Sequence, residues 1–241
     1  MFPVLQIGPF ALPTSAITLL LGVWVSAYLA ERVAPRFRLN PGAVSNLIFL
    51  LLGIGLIGAR LSYLARYPST FLHNPLDILS RSPGLLDPAG GVAAAALAGI
   101  IYVQRKRLPL WTLLDAMSSP IALMSVALAF SNLASGNGFG RATTLPWGIE
   151  LWGAVRHPAQ IYEMLAAGLI FWLTLPVNNW WKNAKPGVIF LSFIAMSSAA
   201  RLFLEYFRDT SPLIFEDFRA AQFVAWLTLA LSLWGLNRKL Q

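Results

Sequence analysis

The chain has 241 residues, of which 57% are hydrophobic and 12% charged, and its formal net charge is +8. Soluble domains carry about 25% charged residues, so this composition excludes a soluble globular protein. The absence of cysteine excludes disulfides, thiolate metal sites and a cysteine nucleophile. The basic residues lie at the ends of apolar runs rather than in one exposed patch, which argues against nucleic acid as a partner.

Apolar runs long enough to cross a hydrocarbon layer of about 30 Å recur along the chain. They predict an all-α polytopic membrane protein with about seven transmembrane helices, folded as a single membrane domain over residues 1–241. No signal-peptide pattern opens the chain, so we expect Met1 to be retained. No metal or cofactor is expected. The predicted spans are 14–29, 44–64, 90–103, 110–130, 158–177, 187–207 and 218–236.

The charges at the ends of these spans predict the orientation of the chain. The breaks after the first, third and fifth spans and the C-terminal tail are the basic ones, and cytoplasmic loops carry an excess of Lys and Arg. We therefore expect the N-terminus outside and the C-terminus in the cytoplasm. The residues that carry this prediction are Arg32, Arg36, Arg38, Arg105, Lys106, Arg107, Lys182, Lys185, Arg238 and Lys239.

The opposite side carries arginines and no lysine. A guanidinium binds phosphate through a planar fork, whereas an ammonium acts as a point charge, so these arginines indicate anion recognition. The alternative is that they pair with nearby carboxylates at an interface. Arg60 and Arg201 favour function, because a charge inside an apolar run is costly to keep. The full set is Arg60, Arg66, Arg81, Arg141, Arg156, Arg201, Arg208 and Arg219.

Residues 131–157 form the longest polar interval, and we expect them to form a small polar head on the outer side. Within it, SGNGFGR at 135–141 has three glycines in five residues, which favours a backbone nest of N–H groups for an anion. Asn132 and Asn137 add amides, and Arg141 adds a guanidinium. A simple tight turn is the alternative.

The next motif is RHPAQIYE at 156–163. Pro158 suits the first position of a helix, and the free N–H groups of the residues that follow are expected to face the loop at the positive end of the helix dipole. His157 or Glu163 is then a candidate proton carrier. The alternative is that His157 caps the helix and Glu163 pairs with an arginine.

In the sixth predicted span, Arg201, Glu205 and Arg208 follow a spacing of i, i+4 and i+7, which predicts one helical stripe. Such a stripe must face protein, water or a headgroup. A structural ladder of ion pairs is the alternative.

These segments, in this order, resemble the prolipoprotein diacylglyceryl transferase family. The resemblance covers about residues 45–225, and the HPAQIYE segment with the span after it is its most specific part. The matching segments are GARLSY at 58–63, NPL at 74–76, Gly90-Gly91, Asn132 to Arg141, HPAQIYE at 157–163, Arg201 to Arg208, and Gln222.

The resemblance implies a bacterial inner-membrane enzyme that transfers diacylglycerol from phosphatidylglycerol, or another anionic phospholipid, to the cysteine thiol of a lipoprotein precursor. In it, arginines would hold the phosphate and a base would take the thiol proton. The catalytic candidates are His157, Glu163 and Glu205. The substrate-binding candidates are Arg60, Asn132, Gly140, Arg141, Gln160, Tyr162 and Arg201.

The chain departs from the family pattern at four places. Ala89 stands where a histidine usually precedes the glycine pair, Ala129 replaces an arginine, Asn137 an acid, and Ser197 a tyrosine. The alternative function is therefore a catalytically degenerate member that binds lipid or serves as a subunit of a membrane complex. In that case partner proteins of the complex are expected.

Overall fold

The computed structural model describes residues 4–7, 10–69, 83–209, 213–214 and 218–241. Over these ranges the chain forms seven α-helices, joined in part by short strands that pair only as two-stranded antiparallel ribbons. The helices are α1 (Thr14–Val33), α2 (Pro41–Arg66), α3 (Pro88–Arg105), α4 (Leu110–Ser135), α5 (Ala159–Thr174), α6 (Val188–Glu205) and α7 (Ala220–Leu240). The strands are β1 (Val4–Ile7), β2 (Phe10–Pro13), β3 (Ile149–Leu151), β4 (Ala154–Arg156), β5 (Leu213–Ile214) and β6 (Phe218–Arg219).

Five of the described helices are long and apolar enough to cross a membrane: α1, α2, α4, α6 and α7. Helix α5 is apolar but has only 16 residues, about 24 Å at the rise of an α-helix. The protein is a multi-pass membrane protein, so the predicted all-α polytopic fold is confirmed. Each of the seven predicted spans coincides with one helix to within a few residues.

The chain divides into two compact units, one of Arg38–Leu110 and the other of Met1–Phe37 with Trp111–Gln241. In the first unit, α2 and α3 pack closely because small residues line their contact. A Cβ placed on Gly91 would lie 2.8 Å from the carbonyl oxygen of Gly55 and 2.9 Å from Cβ of Ala59. The carboxylate of Asp87 caps α3 by accepting from the Ala89 amide at 3.1 Å, and it also accepts from the Ser62 hydroxyl at 2.6 Å.

The second unit is built on α4, α5, α6 and α7, with α1 alongside. Its apolar core includes Ala122, Ile170 and Phe193, one residue from each of α4, α5 and α6. Ser198 of α6 and Thr228 of α7 share a hydrogen bond of 2.8 Å between their hydroxyls. These contacts hold in place α4, α5 and α6, the three helices that line a cavity.

The N-terminal end of α6 is capped by a residue from another helix. Asp115 of α4, only 4% exposed, accepts from the backbone amides of Gly187 at 2.6 Å and Phe190 at 2.8 Å. Gly187 has φ +97°, and a Cβ on it would lie 2.7 Å from the ring of Trp111. The amides at a helix start lack intrahelical partners, so the buried carboxylate satisfies donors that the segment itself leaves open.

The structure corrects three details of the sequence analysis. Helix α4 extends to Ser135, so the first residues of the predicted polar interval are helical. Helix α5 begins at Ala159, with Pro158 as the residue before its first turn. Helix α6 ends at Glu205, so the predicted helical stripe is wrong in its last member, and Arg208 lies in the segment after the helix. There Arg208 forms an isolated β-bridge with Gly140.

Candidate functional site

A cavity of about 410 Å³ opens between α4, α5 and α6, and we call it the basic cavity. Most of its wall is apolar or small, whereas its polar groups gather towards the C-terminal end of α6. Its lining residues are Ala122, Ser125, Leu128, Ala129, Asn132, Glu163, Ala166, Ala167, Ile170, Phe193, Ser197, Ala200, Arg201, Leu204 and Arg208.

The charged groups of the basic cavity are bound to one another. Arg201 Nη1 donates to Glu163 Oε1 at 3.3 Å, and Arg208 Nη1 donates to the same oxygen. Glu163 and Arg208 have side chains that are 16% and 14% exposed, and that of Arg201 is 38% exposed. One carboxylate oxygen therefore bridges two guanidinium groups on the cavity wall.

A second carboxylate lies behind this pair. Glu205 is fully buried; its Oε2 is 3.0 Å from Arg201 Nε and its Oε1 is 3.8 Å from Arg219 Nη1. Arg219 also donates to the backbone carbonyls of Glu205, at 3.1 Å, and Arg208. These five residues form what we call the arginine cluster, in which three guanidinium groups face two carboxylates. The cluster therefore carries one net positive charge.

Glycines of the 135–141 loop position Arg208. Gly138 has φ +65°, and a Cβ there would lie 3.1 Å from Arg208 Nη2. A Cβ on Gly140 would collide with the carbonyl oxygens of His157 and Phe207, the latter at 2.9 Å. The loop thus needs glycine at both positions, because the guanidinium and two backbone segments fill the space that a side chain would occupy.

Arg208 was absent from the residues that the sequence analysis chose as site candidates. The signal that could have found it is the pair Arg201 and Arg208, seven residues apart, together with a glycine loop able to approach a guanidinium. Arg219 was recognised only as one of the arginines of its side. Its contact with Glu205 depends on the packing of the chain before α7 and has no local sequence signal.

Two backbone amides of the anion site predicted at the start of α5 already have partners within the chain. Ala159 N donates to the His157 carbonyl at 2.8 Å, and Ile161 N donates to the Pro158 carbonyl at 2.9 Å. The loop amides of Gly136 and Asn137 also donate within the chain, to Leu133 and Asn132 carbonyls. Guanidinium groups, rather than these backbone amides, supply the donors of the basic cavity.

His157 and Tyr162 lie beside the basic cavity and are not among its lining residues. The His157 ring packs edge-on against Phe207, with ring centroids 5.2 Å apart. His157 Nδ1 is 3.5 Å from the Tyr162 hydroxyl, which also accepts from Trp147 Nε1 at 2.8 Å. Their predicted roles as proton carrier and substrate-binding residue stay predictions.

The remaining candidates of this unit have distinct positions. Asn132 lines the basic cavity. Gln160 is fully buried and donates from Nε2 to the Asn137 carbonyl at 2.8 Å, which holds the glycine loop against α5. Arg141 is exposed, and its guanidinium lies 5.3 Å from the centre of the Tyr206 ring. Arg156 pairs with Asp209 at 2.9 Å.

Arg60 belongs to the unit of residues 38–110. Its Nη1 donates to the Leu85 carbonyl at 3.0 Å, close to the start of α3. The NPL motif at 74–76 and Arg81 lie outside the described residues. Of the predicted site residues, the structure therefore brings Asn132, Glu163 and Arg201 together on one cavity wall, with Glu205 directly behind them.

The helices and the arginine cluster define a class: a multi-pass membrane protein whose helices enclose a mainly apolar cavity with guanidinium groups at one end. Comparison with known proteins identifies the family. The family described as "Prolipoprotein diacylglyceryl transferase" matches residues 3–238. This chain belongs to that family.

Relatives named "Phosphatidylglycerol--prolipoprotein diacylglyceryl transferase" are similar to this chain over most of its length. The protein from Allorhizobium ampelinum is 30% identical, and the alignment covers 97% of this chain and 88% of the relative. The protein from Nostoc sp. is 28% identical over the same shares. The protein from Geobacter sulfurreducens is 32% identical over 79% of this chain and 75% of the relative.

Proposed function

We propose that this protein transfers the diacylglyceryl group of phosphatidylglycerol to the thiol of a lipoprotein precursor. Family membership supports the reaction class. The observation that carries the proposal for this chain is the pair Arg201 and Arg208 at one end of a mainly apolar cavity. Acyl chains suit the apolar wall, and a phosphate suits two guanidinium groups.

In the proposed reaction the thiol sulfur attacks the carbon of the diacylated glycerol that bears the phosphate. A carbon–sulfur bond forms, the carbon–oxygen bond breaks, and glycerol phosphate leaves with the bonding electron pair. The thiol proton passes to a base. The guanidinium groups of Arg201 and Arg208 offset the negative charge on the leaving phosphate.

Of the three catalytic candidates, only Glu163 lines the basic cavity. Glu205 is fully buried between Arg201 and Arg219, and His157 packs on Phe207. We assign phosphate binding to Arg201 and Arg208 with Asn132 beside them. Gly140, Gln160 and Tyr162 are assigned to support of that site, Arg141 to its rim, and Arg60 to the substrate as an untested prediction.

We infer a location in the bacterial inner membrane, with the N-terminus outside and the C-terminus in the cytoplasm. The support is the charge distribution, because the basic breaks and the tail belong on the cytoplasmic side. Residues 131–157 would then form an outer polar head of a single membrane domain. The Gly140–Arg208 bridge joins this segment to the arginine cluster. The cluster would therefore face the outer leaflet.

The direct test is release of glycerol phosphate by the purified protein given phosphatidylglycerol and a peptide with a lipobox cysteine. We expect release above a blank without protein, and we expect Arg201→Ala to abolish it. Arg238→Ala is the matched control, because Arg238 lies over the Trp234 ring at the end of α7, away from the basic cavity. Absence of release under conditions in which another family member is active would contradict the transferase proposal.

A second candidate function is that of a non-catalytic lipid-binding protein or a subunit of a membrane complex. The observation that favours it is that the titratable groups lining the basic cavity are Glu163, Arg201 and Arg208, and the carboxylate accepts from both guanidinium groups. Ala129 and Ser197 line the same wall with small side chains. Mild detergent extraction followed by native mass spectrometry distinguishes a lone lipid-binding protein from a subunit of a membrane complex. Detection of a single chain of 26.4 kDa with bound lipid would exclude the role as a subunit.

A further inference from the structure

Glu163 occupies the position at which an anion would contact both guanidinium groups of the basic cavity. Its Oε1 accepts from Arg201 Nη1 at 3.3 Å and from Arg208 Nη1. All three side chains line the cavity. A phosphate oxygen bound by both arginines would need the same donors, so Glu163 and a phosphate compete for one place.

Glu163 differs from the other carboxylate of the arginine cluster in its access to the cavity. Glu205 is fully buried, and its oxygens face Arg201 Nε and Arg219. Glu163 is 16% exposed, and the side chains of Arg201 and Arg208 that donate to it are themselves 38% and 14% exposed. A ligand entering the basic cavity therefore meets the charge of Glu163 and not that of Glu205.

The charge of the arginine cluster depends directly on Glu163. Three guanidinium groups and two carboxylates leave one positive charge, and the neighbouring pair of Arg156 and Asp209 adds none. A phosphodiester headgroup carries one negative charge and neutralises the cluster. A phosphomonoester carries about −1.5 to −2 at pH 7 and would leave an excess of negative charge in a site with low exposure.

We propose that Glu163 is a specificity-determining residue: its carboxylate limits the basic cavity to lipids whose headgroup is a singly charged phosphodiester. The proposal rests on the proposed function, in that it takes the basic cavity as the site of a lipid phosphate. Two like unit charges held close together repel each other more strongly in a site of low exposure than in water. Removing one of them alters the balance between mono- and dianionic ligands by a measurable factor.

The test is a competition between phosphatidylglycerol and phosphatidic acid with identical acyl chains, bound to the protein in nanodiscs and counted by native mass spectrometry. We expect the unaltered protein to prefer phosphatidylglycerol. In Glu163→Gln, which keeps the shape and the acceptor oxygen, we expect the ratio of phosphatidic acid to phosphatidylglycerol to rise about tenfold. Glu163→Asp keeps the charge and is expected to keep the original ratio.

Glu150→Gln is the matched control, because it removes one exposed carboxylate of the β3 strand outside the basic cavity. An unchanged ratio in Glu163→Gln, or an equal rise in Glu150→Gln, would overturn the proposal. Should Glu163→Gln fail to fold, Glu163→Ala removes the same charge and replaces it in the comparison. Failure of the unaltered protein to retain either lipid would instead contradict the proposed function.

One further arm distinguishes a lipid headgroup from a free phosphate compound. Glycerophosphoglycerol has the headgroup chemistry without acyl chains, and it cannot use the apolar wall formed by Leu128, Ile170 and Phe193. We expect a tenfold excess of it to leave the bound lipid in place. Displacement of the lipid by this soluble compound would overturn the assignment to a lipid headgroup.

Discussion

Carboxylates lie at both ends of α6, but their hydrogen-bond donors differ. At the N-terminal end, Asp115 accepts from the backbone amides of Gly187 and Phe190. At the C-terminal end, Glu163 and Glu205 are bound by the guanidinium groups of arginines. Backbone amides cannot leave without unwinding the helix, whereas guanidinium groups can exchange one anion for another by side-chain rotation.

This difference separates a structural charge from a functional one. The Asp115 carboxylate satisfies donors that would otherwise remain buried without partners, so its contribution is to folding. The carboxylate of Glu163 satisfies donors that a ligand could satisfy equally well. Carboxylates of the same chemistry thus have different consequences, which depend on whether the partner is the main chain or a side chain.

The largest effect is expected from Asp115→Ala, which leaves the amides of Gly187 and Phe190 without the acceptor they now have. Each unsatisfied buried donor costs about 1–3 kcal/mol, so for the two amides we expect a loss of about 2–6 kcal/mol in the free energy of unfolding. Thermal unfolding in detergent measures it. Asp115→Asn keeps one acceptor oxygen and should lose less. A loss below that of an exposed variant such as Asp209→Ala would break the comparison.

An intermediate effect is expected from Arg208→Ala, this time on ligand binding. A charge-assisted hydrogen bond contributes about 1.5–3 kcal/mol, so affinity for phosphatidylglycerol should fall about tenfold to a hundredfold. We expect the melting temperature to fall less than in Asp115→Ala. Binding is measured by lipid competition in nanodiscs, with Arg32→Ala as a control arginine at the end of α1. Unchanged affinity would show that Arg208 is structural.

The smallest effect concerns Asp87, which caps α3 from a partly exposed position. The hydrogen bond from the Ser62 hydroxyl, with that from the Ala89 amide, holds the pKa of Asp87 below its usual value of 3.8. A carboxylate with a lowered folded-state pKa stabilises the fold above its unfolded pKa, and the contribution is lost as the pH falls through the folded value. We therefore expect the start of α3 to loosen only below pH 3.8.

Protection factors from hydrogen exchange of the α3 amides, which correct for the intrinsic pH dependence of exchange, are compared at pH 6 and at pH 3 and measure this loosening. In Asp87→Asn the difference between the two pH values should disappear, because no proton is taken up at that position. In Ser62→Ala the loosening should be smaller, because the folded-state pKa of Asp87 then lies closer to its unfolded value. Equal acid sensitivity in all three proteins would contradict the assignment to Asp87.

The helices could be predicted from the sequence because hydropathy and the residues that mark helix boundaries act locally. The predicted spans coincide with α1 to α7 to within a few residues. The motif at 201–208 correctly indicated that Arg201, Glu205 and Arg208 belong to one charged cluster. It failed in geometry, because α6 ends at Glu205 and the pairing of Arg208 with Gly140 depends on a distant segment.

The functional meaning of Asp115 and Arg219 could not be predicted from the chain alone. In the sequence Asp115 is a single charge within an apolar span, and only the hydrogen bonds from Gly187 and Phe190 show that it serves the first turn of another helix. Arg219 looked like one of several arginines on one side. In both cases the partner is distant in sequence, and no local pattern fixes which atoms will meet.

Gly140 has a consequence for the order in which the protein acquires its structure. The residue bridges to Arg208, and its neighbour Arg141 donates from its amide to the Phe207 carbonyl at 2.8 Å. Both α5 and α6 lie in the chain between these partners. The contacts of Gly140 and Arg141 can therefore form only after these two helices have been synthesised and inserted. During biogenesis the basic cavity is therefore completed late. A chain truncated before residue 207 would contain the helices that line the cavity, but it would lack the contacts of Gly140 and Arg141 with residues 207 and 208.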